Sequence, residues 1–175
     1  MRLGREEFLE VVDRAPLVSI DLIVRDADGR VLLGKRTNEP AKGCWFVPGG
    51  RIHKNERLEA AFRRICLDEL GKTFALSDAR FLGVFEHFYS TNFAERPGVD
   101  THYVVLAYEL TPARLPEKLP ADQHGEYHWF EVDALLSTEA VHAHSKAYFQ
   151  RGSLGPSVDS SPGCVTPDVR RGPFS

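Results

Sequence analysis

Two adjacent glycines, Gly49 and Gly50, precede a long stretch without helix breakers, and this combination most constrains the fold. Residues 57–70 contain no glycine or proline, which predicts a helix of roughly four turns with Asn55 as its N-cap and Gly71 as its C-terminal stop. Glycine pairs let the backbone approach an anion or a metal ion closely, because no side chain is in the way. The sequence therefore predicts a binding loop followed by a helix.

Glu69 lies in the apolar stripe of the predicted helix. At about 100° per residue, the apolar residues that share its side are Leu58, Ala61, Phe62, Ile65 and Cys66. Burying an unpaired charge costs several kcal/mol, so this carboxylate requires a metal ion or a cationic partner. The alternative to a metal is a salt bridge to Arg57, Arg63 or Arg64. The glycine pair ahead of the helix favours the metal.

The segment from residue 50 to residue 72 resembles the Nudix box, G-x5-E-x7-R-E-U-x-E-E-x-G-U, in which U is aliphatic. The matching residues are Gly50, Glu56, Arg64, Glu69 and Gly71. The departures are Ile65 and Asp68 at glutamate positions and Lys72 at the last aliphatic position. These departures resemble the altered box of the GDP-mannose mannosyl hydrolase branch of the Nudix hydrolase family. Further stretches that carry the resemblance are 16–19, 34–38, 45–50, 87–89, 101–105 and 122–124.

The order of predicted elements gives an α+β protein. We expect a helix over 5–14 with apolar contacts from Phe8, Val11 and Val12, and a hairpin of two strands joined by a turn at 26–29. The predicted strands are 17–24, 31–36, 81–89, 101–110 and 127–130, and the later helices are 132–136 and 141–150. The resemblance implies a Nudix-like α/β/α sandwich with a mixed β-sheet, formed as a single domain by residues 1–150. Residues 151–175 are rich in Gly, Pro and Ser, which predicts a disordered tail.

Composition excludes several classes of protein. The chain of 175 residues is 42% hydrophobic and 27% charged, which is typical of one soluble domain. Its net charge of -3 argues against nucleic acid as a partner. No run approaches the roughly 20 apolar residues of a membrane span, and the first residues lack the apolar part of a signal peptide, so we expect a cytoplasmic protein without a membrane partner. The family resemblance implies a homodimer.

The resemblance also implies a metal site. It would hold one Mg²⁺ per chain, with Mn²⁺ as a substitute, through the carbonyl oxygen of Gly49 and the side chains of Glu69 and Gln123. Such oxygen donors suit a hard cation. In ordinary Nudix hydrolysis a glutamate at the position of Ile65 is a main metal ligand. Isoleucine removes that negative charge, so we expect fewer metal ions here.

Three residues are predicted to take part in catalysis. His124 lies in a loop with prolines and a glycine, a mobile surface setting, and histidine can accept a proton from water near neutral pH. Its match to the family's Gln-His pair makes His124 the candidate base. Asp21 interrupts an apolar strand, and the resemblance places it in the sugar pocket. Arg36 is the third residue that the resemblance assigns to catalysis. The alternative is a structural pair between Asp21 and Arg36.

Other residues are predicted to bind the substrate. The resemblance assigns Arg36, Arg51 and Arg64 to the diphosphate, although Arg64 could instead be the structural partner of Glu56. His87 and Tyr103, on facing strands, would contact sugar or phosphate, unless they are simply packed in the sheet.

The N-terminal segment is assigned to the guanine base by the same resemblance. It contributes Arg2, Leu3 and Phe8, and the ring of Phe8 could stack on the base.

The resemblance implies a small nucleotide sugar as substrate. The expected reaction is hydrolysis of GDP-mannose, and also of GDP-glucose, to GDP and free sugar with inversion at the anomeric carbon. One alternative is an ordinary Nudix pyrophosphatase that releases GMP and sugar phosphate. Another is a nucleotide-sugar-binding protein without catalysis.

Overall fold

A computed structural model describes residues 3–121 and 124–150 of the chain. In chain order the helices and strands are α1 (Arg5–Arg14), β1 (Leu17–Val24), β2 (Val31–Arg36), β3 (Trp45–Phe46), β4 (Gly49–Arg51), α2 (Leu58–Leu70), β5 (Arg80–Tyr89), β6 (Thr101–Leu110), β7 (His124–Phe130), α3 (Val132–Ser137) and α4 (Ala143–Ala147). A short 3₁₀ helix, Leu76–Asp78, precedes β5. The predicted tail lies outside the described residues.

The strands form two sheets. A four-stranded sheet has the order β4-β1-β6-β5, in which β1 is parallel to β6 and the other pairs are antiparallel. A three-stranded antiparallel sheet has the order β3-β2-β7. Apolar residues of α2 pack with one set of β1 and β6 side chains, and those of α3 and of the residues that flank α4 pack with the opposite set. The predicted α+β sandwich with a mixed sheet is confirmed.

The predicted hairpin between β1 and β2 is wrong, because these strands belong to different sheets. Among the described residues, an isolated antiparallel bridge between Arg25 and Val31 lies where β1 leads into β2, and no ladder between the two strands continues from it. The turn itself is present, since the amide of Gly29 donates to the carbonyl of Asp26 over 3.1 Å. A strand has two edges, and β4 and β6 occupy both edges of β1. This leaves β2 to pair elsewhere.

The start of α2 differs from the prediction, whereas its end is as expected. The N-cap is Arg57, not Asn55, and Asn55 instead adopts a left-handed conformation with φ 65° in the turn before the helix. Gly71 ends the helix with φ 68°, which is the left-handed C-terminal stop that glycine favours. The predicted burial of Glu69 in the apolar stripe is confirmed.

Several smaller corrections concern the ends of the domain. Helix α1 buries Leu9 and Val12, whereas the predicted contact residue Val11 is 37% exposed. Strand β7 begins at His124 and not at residue 127, because the chain pairs with β2 as far as Arg36. Helix α4 is shorter than the predicted 141–150.

The ion pair between Glu56 and Arg64 ties the loop before α2 to the helix. Arg64 Nε donates to Glu56 Oε1 over 2.7 Å, and Arg64 Nη2 donates to Oε2 over 2.8 Å. These hydrogen bonds are the main cause that lowers the pKa of Glu56 to about 2 from its usual 4.5. A lowered carboxyl pKa stabilises the folded state above about 4.5, and this stabilisation is lost as the pH falls toward about 2.

We expect Glu56→Gln to lower the free energy of unfolding by about 1 kcal/mol at neutral pH, because the pair is partly screened by solvent. The difference in free energy of unfolding between the variant and the wild type should shrink as the pH falls from about 4.5 to about 2. Urea unfolding across that pH range measures it, with Glu59→Gln on the exposed side of the same helix as control. A difference that is independent of pH would show that the charge of Glu56 is not what stabilises the loop.

Candidate active site

A cleft of about 370 Å³ opens where the four-stranded sheet meets α2. Most of the predicted site residues line this cleft: Asp21, Arg36, Gly49, Arg51, Arg64, Glu69, His87 and Tyr103. The residues come from six elements that are far apart in sequence. The structure therefore brings together what the sequence could assign only one by one.

The glycine pair allows three elements to meet at the floor of the cleft. A Cβ atom on Gly49 would lie 2.6 Å from Asp21 Oδ1 and 2.7 Å from the carbonyl oxygen of Ile20. A Cβ atom on Gly50 would lie 3.2 Å from Ile65 Cγ1. The glycine backbone thus comes close to β1 and α2 of the protein itself, and its predicted approach to an anion or a metal ion stays a prediction.

Asp21 is buried in the middle of β1 and faces the C-terminal part of the chain. Its Oδ2 accepts a hydrogen bond of 2.7 Å from the hydroxyl of Tyr148, a residue that the sequence reasoning missed. Burial raises the pKa of Asp21 to about 7, against the opposing effects of the Tyr148 hydrogen bond and the charge of Arg36. Within the described residues Asp21 and Arg36 form no ion pair within 4 Å, since Arg36 Nε donates to the carbonyl of Pro40 over 2.9 Å. The alternative of a direct structural pair is wrong.

Glu69 has a histidine as its neighbour. Its carboxylate is 3% exposed, and Oε2 lies 3.2 Å from Nε2 of His124. The arginine alternative is wrong in the described part of the chain, since Arg64 pairs with Glu56 and Asp68. The contact joins the end of α2 to the start of β7.

His124 does not occupy the mobile surface position that the sequence predicted. Its side chain is 1% exposed, and its ring packs 5.3 Å from that of Tyr127. Gly34 on β2 makes room for the imidazole, because a Cβ atom there would overlap the ring. Nδ1 of His124 has no hydrogen-bond partner among the described residues. The loop prediction failed because the paired strand β7 begins at this residue.

Arg64 and Arg51 stand side by side at the cleft, with different surroundings. The structural alternative for Arg64 is confirmed, since it holds Glu56 and also donates to the carbonyl oxygen of Arg51 over 2.9 Å. The guanidinium of Arg51 lies 3.8 Å from the centre of the Phe8 ring. Burial is the main cause that lowers the pKa of Arg51, with the charge of Arg64 adding to it. Both cations line the cleft and attract negative charge.

The N-terminal segment contacts the cleft residue Arg51 through Phe8. The Phe8 ring lies between Arg51 and the ring of Phe93, 4.9 Å away. Leu3 is 48% exposed, and the predicted residue Arg2 lies outside the described residues. The assignment of this segment to a base stays a prediction.

His87 and Tyr103 are register partners on β5 and β6, as the sequence reasoning expected of facing strands. The imidazole of His87 stacks on that of His144 at 4.1 Å and lies 3.1 Å from the Tyr148 hydroxyl. Burial, with added effects of His144 and His142, lowers the pKa of His87 well below its usual value. His87 is thus a neutral, packed residue that also lines the cleft. Packing in the sheet and contact with the cleft are therefore both true of this side chain.

The donors available for a metal ion are oxygens. Gly49 and the buried carboxylate of Glu69 line the same cleft, while Gln123 lies outside the described residues. Residues 3–121 and 124–150 contain no group of three or more His, Cys, Asp or Glu that could hold a metal ion. A site here would need mixed carboxylate, carbonyl and amide donors, which fit a hard divalent cation.

Comparison with known proteins places this fold and cleft in a family. The NUDIX domain matches residues 15–150, and the chain belongs to the Nudix hydrolase family. Enzymes of this family generally use divalent cations and act on small nucleotide substrates.

Relatives with curated descriptions agree with this placement. The chain is 47% identical over 111 residues to the low-salt glycan biosynthesis protein Agl8 of Haloferax volcanii, covering 63% of this chain and 68% of Agl8. It is 41% identical over 56 residues to the ADP-ribose pyrophosphatase of Methanocaldococcus jannaschii, covering 32% of each chain.

Solved structures share the fold. The MutT NUDIX hydrolase of Burkholderia pseudomallei has a TM-score of 0.59 at 28% identity, over 77% of this chain and 96% of its own. The MutT protein of Methanosarcina mazei Go1 has a TM-score of 0.61 at 23% identity, over 79% of this chain and 94% of its own. Among the described helices, none combines the length and apolar character needed to cross a membrane.

Proposed function

We propose that this Nudix hydrolase cleaves GDP-mannose, and also GDP-glucose, to GDP and free sugar by attack of water at the anomeric carbon with inversion. The observation that carries the proposal is Ile65. This residue replaces a glutamate of the Nudix box, is 1% exposed, and presents its alkyl side chain at the cleft beside Gly50. An alkyl group cannot bind a metal ion, so the cleft lacks one ligand for metal-rich attack on phosphorus.

The other carboxylates of the box are engaged with Arg64. Asp68 Oδ2 lies 3.3 Å from Arg64 Nη1, and Glu56 accepts two hydrogen bonds from the same guanidinium. Glu69 instead lies beside His124 and lines the cleft, and it is the carboxylate of the box that we take as the metal ligand. This charge balance suits one divalent cation, and we assign to it Gly49, Glu69 and Gln123 with Mg²⁺ or Mn²⁺ as the ion.

A cation bound there would neutralise charge on the diphosphate of GDP. Glycoside hydrolysis usually needs one carboxyl group to protonate the leaving oxygen and a second to activate water. A diphosphate whose charge is neutralised leaves without protonation, so one base is sufficient. Arg36, Arg51 and Arg64 line the cleft as cations for the same diphosphate.

We assign the base to His124. Its Nε2 lies 3.2 Å from Oε2 of Glu69, a residue that lines the cleft, and we assign the proton of the attacking water to this imidazole. The water oxygen bonds to the anomeric carbon, the bond from that carbon to the diphosphate oxygen breaks, and the electron pair leaves with GDP. His87, Tyr103 and Asp21 line the cleft, and we assign them to the sugar. We assign Phe8, which contacts the cleft residue Arg51, to the guanine base.

The relatives support both the proposal and its rival. The description of Agl8 concerns glycan biosynthesis, which supports a sugar-containing substrate for this chain. The ADP-ribose pyrophosphatase supports the rival reaction at phosphorus. We propose a homodimeric cytoplasmic enzyme without nucleic-acid partners, as the resemblance and composition predict, and a single catalytic domain over residues 1–150.

The position of bond cleavage separates these reactions. Hydrolysis of GDP-mannose in ¹⁸O-water should place the label in mannose, because water attacks carbon. Mass spectrometry of the products measures this. Label in GMP or in sugar phosphate would establish the pyrophosphatase, and binding without any turnover would establish a non-catalytic sensor.

The metal assignment is tested by Glu69→Gln. The amide keeps the shape of the side chain but loses a charged donor, so we expect a loss of Mg²⁺ affinity on the order of 10- to 100-fold with the fold retained. Titration of Mg²⁺ against GDP release and thermal unfolding measure the two effects, with Glu59→Gln as the control on the same helix. An unchanged Mg²⁺ dependence would make Glu69 a purely structural residue.

The base is tested by His124→Gln. We expect kcat to fall on the order of 10²- to 10⁴-fold, the usual contribution of a positioned base, with little change in substrate binding. Steady-state kinetics with GDP-mannose measure kcat, and calorimetry measures substrate binding. A variant with the wild-type rate would transfer the role to a residue that lines the cleft, with His87 the first to test.

A further inference from the structure

Three polar side chains, of which Asp21 and His87 are buried and Tyr148 is half-buried, form a hydrogen-bonded chain beside the cleft. The hydroxyl of Tyr148 donates to Asp21 Oδ2 over 2.7 Å and lies 3.1 Å from Nε2 of His87. Asp21 and His87 line the cleft, on β1 and β5, whereas Tyr148 follows α4 near the end of the described residues. One hydroxyl therefore contacts two cleft residues that come from different strands.

The segment that carries Tyr148 is fixed to the cleft floor. The amide of Trp45 donates to the carbonyl of Ala140 over 2.8 Å, and the amide of Val47 donates to Ser145 Oγ over 3.1 Å. Val47 stands two residues before the glycine pair. The Tyr148 ring also packs edge-on against Phe85 at 4.7 Å. These contacts position the hydroxyl independently of any ligand.

The hydrogen bonds orient both partners of Tyr148. With Oδ2 of Asp21 held by the hydroxyl, Oδ1 lies toward the backbone of Gly49, where a Cβ atom would be 2.6 Å away. When Asp21 is ionised, it accepts the one hydrogen of the hydroxyl, so Nε2 of His87 must donate to the Tyr148 oxygen. His87 is then the neutral tautomer protonated at Nε2, and stacking on His144 holds its ring plane.

We propose that Tyr148 is a positioning residue of the active site, which acts through Asp21 and His87 to fix the sugar end of the substrate. This role rests on the proposed function, because it concerns the orientation of the same substrate. Tyr148 does not itself reach the cleft lining of the described residues. Its effect on turnover must pass through the two residues that do.

The first test compares two tyrosine-to-phenylalanine variants. Tyr148→Phe removes the hydroxyl and keeps the ring, so kcat/KM for GDP-mannose should fall on the order of 10- to 100-fold with the melting temperature nearly unchanged. Tyr108→Phe, in the core cluster beside Phe62, is the matched control and should keep wild-type kinetics. Wild-type kinetics for Tyr148→Phe would overturn the proposal.

The second test asks whether Tyr148 acts through Asp21. In an Asp21→Asn background, adding Tyr148→Phe should lower kcat/KM for GDP-mannose by less than about threefold, because the partner of the hydroxyl is already altered. If the two substitutions instead lower kcat/KM by independent factors, Tyr148 has a separate structural effect and the proposal is overturned.

A third measurement needs no turnover. ¹⁵N NMR of the wild-type imidazoles, at a pH well above 7, should show His87 protonated at Nε2, and Tyr148→Phe should change that signal. Protonation at Nδ1 would overturn the hydrogen-bond chain, even if the variant failed to fold. A wild-type protein that does not cleave GDP-mannose would end the proposed function and leave this measurement valid.

Discussion

The close approach of the Gly49-Gly50 backbone to β1 and α2 is the constraint on which the rest of the site depends. Any side chain at Gly49 would collide with Asp21, and one at Gly50 would press on Ile65. Because neither residue has a side chain, the central strand, the binding loop and the helix meet at one point. The cleft is the space left beside that meeting point, and a backbone carbonyl can face it together with the Glu69 carboxylate.

Three carboxylates near this point differ because their surroundings differ. Glu56 accepts charged hydrogen bonds, which keep its pKa near 2, so it remains ionised and holds the loop. Asp21 is buried with a tyrosine hydroxyl, and burial raises its pKa to about 7. Glu69 is buried beside His124, at the end of the helix stripe. Burial and partner, rather than residue type, give these three carboxylates different environments.

The isoleucine at residue 65 connects the packing to the proposed chemistry. Its side chain completes the apolar core under α2 and also forms part of the cleft wall. The family's usual glutamate would bring another charge to this wall. Its absence, with Asp68 and Glu56 bound to Arg64, leaves a cleft with few free anions and several cations. Such a cleft suits an anionic leaving group better than a cluster of metal ions.

The sequence alone determined the helix stop at Gly71, the burial of Glu69, the main strands and the family, because periodicity and motif spacing are local. It could not determine which strands pair, and the predicted hairpin was wrong since β1 uses both edges for more distant partners. It also missed Tyr148, and it placed His124 on the surface. Those positions depend on contacts across more than 50 residues, such as Glu69 with His124, which no spacing rule encodes and only tertiary packing decides.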